Sequence, residues 1–571
     1  MIRTMIFRGR MPCLIFAAFL SAGYFVTWFS SEAAEPSPTK TDFAYAERAL
    51  RKIGTATDGN GLLAFIRSRT LTTAQRQGLA LKVRALGSPE YKEREKASRE
   101  LVEIGRSALA YLRPAVNDPD LEISRRARRC IEQIQSGSNP SLPVLAALLI
   151  KERQPSGSVP VLLDYLSNIE EESAQETWLD VLRAVGWRES RADPALLTSL
   201  SDKRPPYRAA AAHVLGRGND AAVRRRVVPL LADADVRVRF EAAAALARFG
   251  DKKAVVVLLA LLDDGPFSLG CRSEYLLRLL AEGQGPDQSL DQDKPAVRRR
   301  CRAAWETWWK EKAEYVDLAR LKDEQPPHGM TVVCEVGDDD SRVWEWAQGG
   351  QICWEIRHLE GTHALQILPN GRVLVAEHHA NRITERDREG KIYWQQQTRG
   401  NPIACQRQAN GNTLIATYKE LYEVTPDHKQ VFRHFDRRDF RDALRLRNGH
   451  ILYVTSDGML VEHDAACEHL LRNIEPEKLA AGAKFRARVE PLMNGRYLLT
   501  LGGSHCVLEI DNNGKVRWEH AIRAPMSATR LRNGHTLIAS SEDRCVVEVD
   551  RAGKEINRQL LQGRPFEVRR Y

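Results

Sequence analysis

Arginine residues recur at one position of a repeated pattern in the C-terminal half of the chain. Five Asn-Gly pairs occur at intervals of 38 to 46 residues between Asn370 and Gly534. Three residues before each Asn stand Ile367, Arg407, Arg445, Pro491 and Arg530, and Arg569 takes the same phase near the C-terminus. Clustered guanidinium groups suit sulfate, phosphate or carboxylate, because they donate charge-assisted, often paired hydrogen bonds. One interpretation of Arg407, Arg445, Arg530 and Arg569, with His363 beside them, is therefore a binding site for a small anion.

A glutamate also recurs once in every repeat, and it offers these arginines a different role. Its positions are Glu345, Glu385, Glu423, Glu462, Glu509 and Glu548. A catalytic carboxylate is needed once, whereas a residue present in every repeat is typical of packing or of bridges between strands. The alternative interpretation is that the arginines point into the interfaces between repeats and pair with these glutamates.

Histidine and aspartate residues supply the other candidates for chemistry. His378 and His379 form the only adjacent histidine pair, and His363 precedes them in the same repeat. Such residues can hold a metal or act as a general base, and the alternative is a pair of ordinary loop histidines. The run "GDDDSR" at 337–342 lacks the spacing of an EF-hand, and no Cys/His group has zinc spacing. We therefore predict no metal, no cofactor and no catalytic residue.

The repeat that carries these residues reads as four short strands. Each Asn-Gly pair is a hairpin signal followed by a β-rich run such as "RVLVA", then a strand with the glutamate, a turn and a last strand. Five units are complete. Met330 to Ile356 supplies strands two to four of a sixth, and the C-terminal "GRPFEVRRY" supplies its first strand. This predicts a six-bladed β-propeller closed by strands from both ends of the domain, a velcro closure that leaves no exposed sheet edge.

The propeller repeats resemble those of a known family. Turns ending in Gly-Lys before a strand with tryptophan, as at Trp394 and Trp518, resemble PQQ-like (quinoprotein-like) propellers. The Asn-Gly-x-x-Leu-Ile stretch also resembles arylsulfotransferase-type propellers. The resemblance implies either an envelope assembly scaffold or an enzyme, a quinoprotein oxidoreductase or an arylsulfotransferase in which His363 would be the reactive histidine. PQQ-dependent dehydrogenases usually have eight blades, a calcium site and a cofactor-stacking set, none of which is identified here, so we expect a scaffold.

The front half of the chain reads as a ladder of helices. The segment "DADVRVRFEAAAALARFGDKKAVVVLLALLDD", from Asp233 to Asp264, has an acidic turn, an Ala-rich helix, a glycine stop and a second apolar helix. The stops Gly186, Gly216, Gly250 and Gly283 are spaced by 30, 34 and 33 residues. This period predicts an α-solenoid, and the pattern resembles HEAT repeats, which implies protein binding.

Arginines in these helices have two interpretations. Arg208, Arg239 and Arg300 each stand three residues before an Ala-Ala pair. They form either a basic ladder for an anionic partner or bonds to a neighbouring acidic turn, and we expect the latter. Nucleic-acid binding through the Arg-rich helices is an alternative function that predicts a steep dependence of affinity on salt. The net charge of +10 over 571 residues is too modest to imply it.

The N-terminus has the composition of a targeting segment. Three arginines precede an apolar stretch from Met11 to Phe29, which predicts a signal peptide or a retained membrane anchor. We therefore expect an exported protein, periplasmic or attached to the cytoplasmic membrane. Nine scattered cysteines follow it, and most of them are expected to be buried apolar residues rather than a disulfide framework. The predicted units are 1–34 (signal or anchor), 35–85 (linker and helical lead-in), 86–320 (solenoid), 321–329 (linker) and 330–571 (propeller).

The sequence thus predicts an N-terminal HEAT-like α-solenoid followed by a six-bladed β-propeller. Both are interaction modules, so we expect a non-enzymatic binding or scaffold protein of the cell envelope. Its expected partners are proteins and a small anionic ligand, without nucleic acid. The PQQ-like enzyme and the nucleic-acid binder are the alternatives.

Overall fold

The computed structural model describes most of the chain. The described residues are 40–104, 108–136, 142–166, 169, 172–323, 330–337, 340–347, 351–368, 371–478 and 486–570. The predicted signal peptide or anchor, residues 1–34, lies outside them. Within these ranges no helix is both long enough and apolar enough to cross a bilayer.

The N-terminal half is helical. The helices are α1 (Lys40–Lys52), α2 (Gly59–Arg69), α3 (Thr73–Ala85), α4 (Tyr91–Ile104), α5 (Leu109–Ala115), α6 (Leu121–Ser136), α7 (Leu142–Arg153), α8 (Ser158–Leu166), α9 (Glu172–Val185), α10 (Pro194–Ser199), α11 (Pro205–Gly216), α12 (Ala221–Val227), α13 (Val236–Ala247), α14 (Lys252–Ala260), α15 (Phe267–Ala281) and α16 (Pro295–Lys312). A short hairpin of β1 (Trp187–Arg188) and β2 (Arg191–Ala192) separates α9 from α10.

Local sequence explains where these helices begin and how they stack. Asp193, Asp220, Asp235 and Asp251 cap α10, α12, α13 and α14, each side chain accepting a hydrogen bond from a first-turn backbone N–H. Helices α9, α11, α13 and α15 form one row in which each packs on the next. The alanines of α11 and α13 are buried because small side chains allow this close packing. The predicted solenoid is confirmed.

The helix arginines bind acidic turns, as expected for two of the three positions. Arg208 donates from Nε and Nη2 to the carboxylate of Asp233 at 2.7 and 2.8 Å. Arg239 pairs with Asp264 of the next turn through Nη2 alone. The expectation for Arg300 is wrong. Arg300 is exposed, and Arg302, two positions later, binds the acidic turn at Asp263 instead. These side chains hold successive repeats together.

The C-terminal half folds into six four-stranded antiparallel sheets. Blade 1 consists of β26 (Arg564–Arg570), β3 (Thr331–Val336), β4 (Ser341–Ala347) and β5 (Gln351–Leu359); blade 2 of β6 (Thr362–Ile367), β7 (Val373–Glu377), β8 (Arg382–Arg386) and β9 (Ile392–Gln397); blade 3 of β10 (Pro402–Arg407), β11 (Thr413–Thr417), β12 (Leu421–Val424) and β13 (Gln430–His434); blade 4 of β14 (Phe440–Arg445), β15 (Ile451–Thr455), β16 (Leu460–His463) and β17 (Leu470–Ile474); blade 5 of β18 (Ala487–Pro491), β19 (Tyr497–Leu501), β20 (Cys506–Ile510) and β21 (Val516–Ala521); and blade 6 of β22 (Pro525–Arg530), β23 (Thr536–Ser540), β24 (Cys545–Val549) and β25 (Glu555–Leu560).

The blades close into a ring, as predicted. The first strands β6, β10, β14, β18, β22 and β26 contact one another in turn around the centre. The C-terminal β26 pairs antiparallel with β3, with Arg570 opposite Thr331, so that both ends of the domain complete blade 1. The second strands of blades 2 to 6 are buried at every position, because neighbouring blades cover both of their faces. The cysteines also behave as expected: seven of the nine in the described ranges are buried, and none of these nine forms a disulfide.

The propeller is seated on the end of the solenoid. Asp291, in the loop after α15, accepts hydrogen bonds from Arg496 in blade 5 and Arg551 in blade 6. The Asn-Gly turn of blade 6 touches α15, where a Cβ added to Gly534 would meet the Cys271 sulfur at 2.7 Å. Turn backbone and buried charges thus join the two modules.

Candidate functional site

Three of the four predicted arginines lie in the interfaces between blades, each on a glutamate of the preceding blade. Each Nη2 donates to a third-strand carboxylate, and each Nη1 donates to the carbonyl of the Gly in its own Asn-Gly turn. The ion pairs are Arg407 with Glu385 (2.9 Å), Arg445 with Glu423 (2.6 Å) and Arg530 with Glu509 (2.9 Å). The turn bonds are to Gly411 (3.1 Å), Gly449 (2.7 Å) and Gly534 (2.9 Å). We call this arrangement the blade clasp.

Tryptophan completes the clasp in two interfaces. The guanidinium carbon of Arg407 lies 4.6 Å from the ring centre of Trp394, and that of Arg530 lies 4.7 Å from that of Trp518. Each indole N–H donates to a turn carbonyl of the next blade at 3.0 Å. Cation–π contact and hydrogen bond together explain why tryptophan occurs in the fourth strand.

In blade 1 the arginine that contacts the preceding blade lies one position after the predicted residue. Arg570, rather than Arg569, is the last paired residue of β26, as Arg530 is of β22. Arg570 makes the carboxylate contact of the clasp, with Nη1 2.6 Å from the carboxylate of Glu548. The C-terminal strand is followed by no Asn-Gly turn from which to count, and this explains the displaced count.

Arg569 instead faces the centre of the ring, where charged side chains pair with one another. Its guanidinium binds Glu490 at 2.7 Å and Glu567 at 2.9 Å. Arg488 binds Glu567 from the other side at 3.0 Å. Burial raises the pKa of Asp442, whose carboxylate accepts the backbone N–H of residue 489. The centre therefore contains compensated charges, and anion binding by Arg407, Arg445, Arg530, Arg569 and His363 stays a prediction.

Glutamine side chains join first strands that share no backbone ladder. Gln366 accepts the backbone N–H of Arg407 at 2.6 Å, and Gln406 accepts that of Arg445 at 2.7 Å. Adjacent first strands belong to different sheets, so their inward backbone groups need side-chain partners. The centre of the ring is thus built as a structural core.

His363 lies at one mouth of this centre, within an aromatic stack. Its ring is 3.9 Å from that of His378 and 4.4 Å from that of Phe566. Burial, together with His378 and nearby arginines, lowers the pKa of His363 to about 2. Burial and neighbouring charges lower the pKa of His378 to about 4, and its ring nitrogens lack a hydrogen-bond partner in the described ranges. Both rings are therefore neutral at pH 7.

Metal binding finds no support at these candidate residues. Within the ranges that the structure describes, no group of three or more His, Cys, Asp or Glu side chains could hold a metal ion. Asp340 of the acidic run accepts a backbone hydrogen bond from His358 at 2.9 Å, whereas residues 338 and 339 lie outside those ranges.

A second charged cluster, which the sequence reasoning missed, lies within the solenoid. His213 in α11 and Glu241 in α13 form a buried pair with 2.7 Å between Nδ1 and Oε2. Arg217 and Arg272 flank it. The signal in the sequence is a histidine and a glutamate within Ala-rich runs that are otherwise apolar. It is weak because neither residue recurs in the repeat.

Comparison with protein families supports both modules. Residues 193–270 match HEAT repeats. Residues 339–560 match the family described as outer membrane protein assembly factor BamB. No curated protein matches the chain.

Solved structures show similarity confined to part of the chain. A protein of unknown function from Bacteroides caccae is 20% identical over 33% of this chain and 72% of its own, with a TM-score of 0.30. Virginiamycin B lyase from Staphylococcus aureus is 12% identical over 35% of this chain and 70% of its own, with a TM-score of 0.29. The WD40 β-propeller domain of Doa1 is 13% identical over 41% of this chain and 81% of its own, with a TM-score of 0.33. Similarity at this level supports no argument about activity.

Proposed function

We propose that this chain, which joins HEAT repeats to a PQQ-like propeller, is a non-enzymatic protein-binding scaffold of the cell envelope. Repeat modules of both kinds suit protein interaction. An envelope location is supported by the composition of residues 1–34 and by the match to a family named for outer-membrane protein assembly. The repeated charged residues serve the fold itself, as the blade clasps illustrate, so the binding surface lies elsewhere.

The observation that carries the proposal is a set of exposed apolar side chains on the outermost strands. In three consecutive blades, 2, 3 and 4, these strands, or the residue following them, expose large apolar groups to solvent, whereas blade 6 exposes such groups between two blades whose described outermost strands do not. The groups in blades 2, 3 and 4 are Ile392, Tyr393, Val431, Phe435, Leu470 and Leu471. We call these residues the outer-strand surface. Exposed apolar groups on outermost strands, which have no neighbouring strand on one side in the described sheets, favour a protein partner that covers them.

Affinity capture tests this proposal. The full chain serves as bait for an envelope fraction, alongside a variant with Val431→Glu and Leu470→Glu, whose side chains are 55% and 58% exposed. The control carries Ile556→Glu and Leu560→Glu, on the outermost strand of blade 6, where exposure is 44% and 68%. We expect a near-stoichiometric protein on the parent and the control and its loss from the first variant. Equal capture by all three would contradict this surface, and no captured protein would contradict the scaffold.

A second candidate function is catalysis on an aryl sulfate at the mouth of the ring. The observation that favours it is the stack of His363 on His378, with Arg486 placed over the adjacent Phe566. Two neutral imidazoles beside a guanidinium can exchange protons and hold an oxyanion. The full chain, given an aryl sulfate as donor and a second phenol as acceptor, should release the donor's phenol and transfer its sulfuryl group to the acceptor's oxygen. Loss of this transfer in His363→Ala would support the function, and absence of transfer by the parent chain would remove it.

A further inference from the structure

The Asn-Gly turns of blades 3 and 4 have the same backbone structure. Asn410 and Asn448 are both exposed, and the glycines that follow them have φ +87° and +86°. In each turn the asparagine Oδ1 accepts the backbone N–H two residues later, at 2.9 Å in blade 3 and 3.0 Å in blade 4. The glycine N–H donates to the carbonyl three residues earlier, at 3.0 and 2.9 Å. The backbone surroundings of the two asparagines are therefore alike.

The two turns differ in the side chain that stands two residues after the asparagine. In blade 4 this is His450, whose Nδ1 lies 2.8 Å from Oε1 of Glu462 and 3.1 Å from Nδ2 of Asn448. In blade 3 it is Asn412, whose Nδ2 donates to Glu423 at 2.7 Å. The recurring glutamate thus binds an imidazole in one blade and an amide in the other.

The hydrogen atoms of the blade 4 turn follow from these contacts. A carboxylate only accepts hydrogen bonds, so Nδ1 of His450 carries a proton and donates it to Glu462. Oδ1 of Asn448 accepts the backbone N–H of His450, and this directs the NH₂ group towards the ring. Two donor groups therefore face each other at 3.1 Å. This contact raises the free energy of the amide, and it is relieved when the amide nitrogen leaves.

An Asn-Gly pair can lose that nitrogen by reaction with its own backbone. The glycine nitrogen attacks Cγ of the asparagine and loses its proton to water. The Cγ–Nδ2 bond breaks, and Nδ2 takes a proton from water and leaves as ammonia. A water molecule then opens the succinimide ring to give aspartate or isoaspartate. Glycine allows the attack because it has no Cβ to hinder the approach of its backbone.

We propose that Asn448 is a site of deamidation and that His450 makes it more reactive than Asn410. In the tetrahedral intermediate Nδ2 is an amine with a free electron pair, so it accepts a hydrogen bond from Nδ1 that the planar amide cannot accept. His450 therefore stabilises the transition state relative to the amide. The glycine N–H must first leave its bond within the turn, but both turns share this cost. The inference does not depend on the protein-binding proposal.

The modification acts on a blade clasp. The carbonyl of Gly449 accepts Nη1 of Arg445 at 2.7 Å, and Nη2 of the same arginine binds Glu423 of blade 3. Isoaspartate adds one carbon to the backbone immediately before Gly449, which moves this carbonyl away from Arg445. Deamidation at Asn448 thus removes one of the contacts that position the arginine between blades 3 and 4.

Peptide mapping by mass spectrometry of the folded full chain, incubated at mildly alkaline pH, tests the proposal. Asn448 is expected to deamidate at least ~5-fold faster than Asn410, because only Asn448 faces an imidazole. The chain unfolded in urea is the control, since it lacks the turn geometry, and there the two rates should become similar. Equal rates in the folded chain, or the same ratio in the unfolded chain, would overturn the proposal.

Two reciprocal variants assign the effect to the imidazole. His450→Asn gives blade 4 the arrangement of blade 3 and is expected to slow Asn448 to the rate of Asn410. Asn412→His makes the opposite exchange and is expected to accelerate deamidation of Asn410. Each variant introduces a side chain that the fold already contains at the equivalent position of the other blade. If Asn448 reacts as fast in His450→Asn as in the parent, the proposal is wrong, whatever the reciprocal variant shows.

Discussion

At the residue scale, the charged side chains that recur in the sequence form ion pairs within the fold. Glu509 is the most heavily paired example, since it is fully buried and forms ion pairs with Arg496, Arg530 and Arg551. Breaking a buried ion pair from one side is far more costly than the pair is stabilising, because it leaves uncompensated charge. A carboxylate repeated in every blade is therefore a structural requirement in each.

Glu509→Gln is expected to destabilise the protein by about 3–5 kcal/mol, because three guanidinium groups would lose a buried counter-charge that they share. Urea unfolding of the variant against the parent measures the change. The control is Glu555→Gln, which removes a solvent-exposed pair with Arg558 at 2.7 Å and is expected to cost at most about 1 kcal/mol. Equal losses for the two variants would contradict the burial argument.

The same carboxylates set the dependence of stability on acid. Arginine partners outweigh the effect of burial and lower the pKa of Glu509 and Glu548 from 4.5 to about 2. The unfolded chain therefore binds these protons at higher pH than the folded protein does. Their contribution to stability is complete above about pH 4.5 and is lost as the pH falls towards 2. Urea unfolding between pH 6 and 2.5 should show this decline, and in Glu548→Gln the decline should be shallower.

At the element scale, closure of the ring depends on one strand. Strand β26 supplies the first strand of blade 1, and Val568 within it is completely buried and donates its backbone N–H to Ser527 of blade 6 at 3.0 Å. Without this strand, β3 would present an open edge.

Deletion of residues 564–571 is expected to open the ring and to cause aggregation. Size-exclusion chromatography and limited proteolysis of the purified chain measure both effects. Arg564→Ala, at the exposed start of the same strand, is the control and should remain intact. A monomeric, protease-resistant deletion variant would contradict the role of the closure.

Repetition decides which elements the sequence can predict. The Asn-Gly turns mark every complete blade, and the glycine stops mark every helical repeat between Gly186 and Gly283, so both modules follow from period alone. For the C-terminal strand the count predicts Arg569, one position before Arg570, which makes the contact with Glu548. The error arises because no Asn-Gly turn follows this strand to fix the phase of the repeat. The pair of His213 and Glu241 occurs once and joins two repeats in space, which no periodic signal encodes.

At the scale of the whole molecule, the two modules are joined by specific contacts. The turn at Gly534 has φ +86°, and an added Cβ there would lie 2.7 Å from the Cys271 sulfur in α15. The equivalent Gly449 has the same φ, but its added Cβ would meet only Ala465, at 3.8 Å. The two positions therefore differ in contact with the solenoid and not in backbone strain.

Gly534→Ala is expected to destabilise the protein by about 1–3 kcal/mol more than Gly449→Ala, because overpacking adds to the shared cost of a positive φ. Thermal unfolding of both variants measures the difference. If the two lose the same stability, the turn of blade 6 does not pack on α15 in solution.

The central claim is that the chain is a scaffold whose protein partner covers the outer-strand surface. Amide hydrogen exchange of the full chain, alone and in the complex captured from the envelope fraction, tests it most directly. Slower exchange on binding is expected in β9, β13 and β17, the strands that carry Tyr393, Val431 and Leu470. Protection confined to the solenoid helices, or to β25 in blade 6, would contradict it.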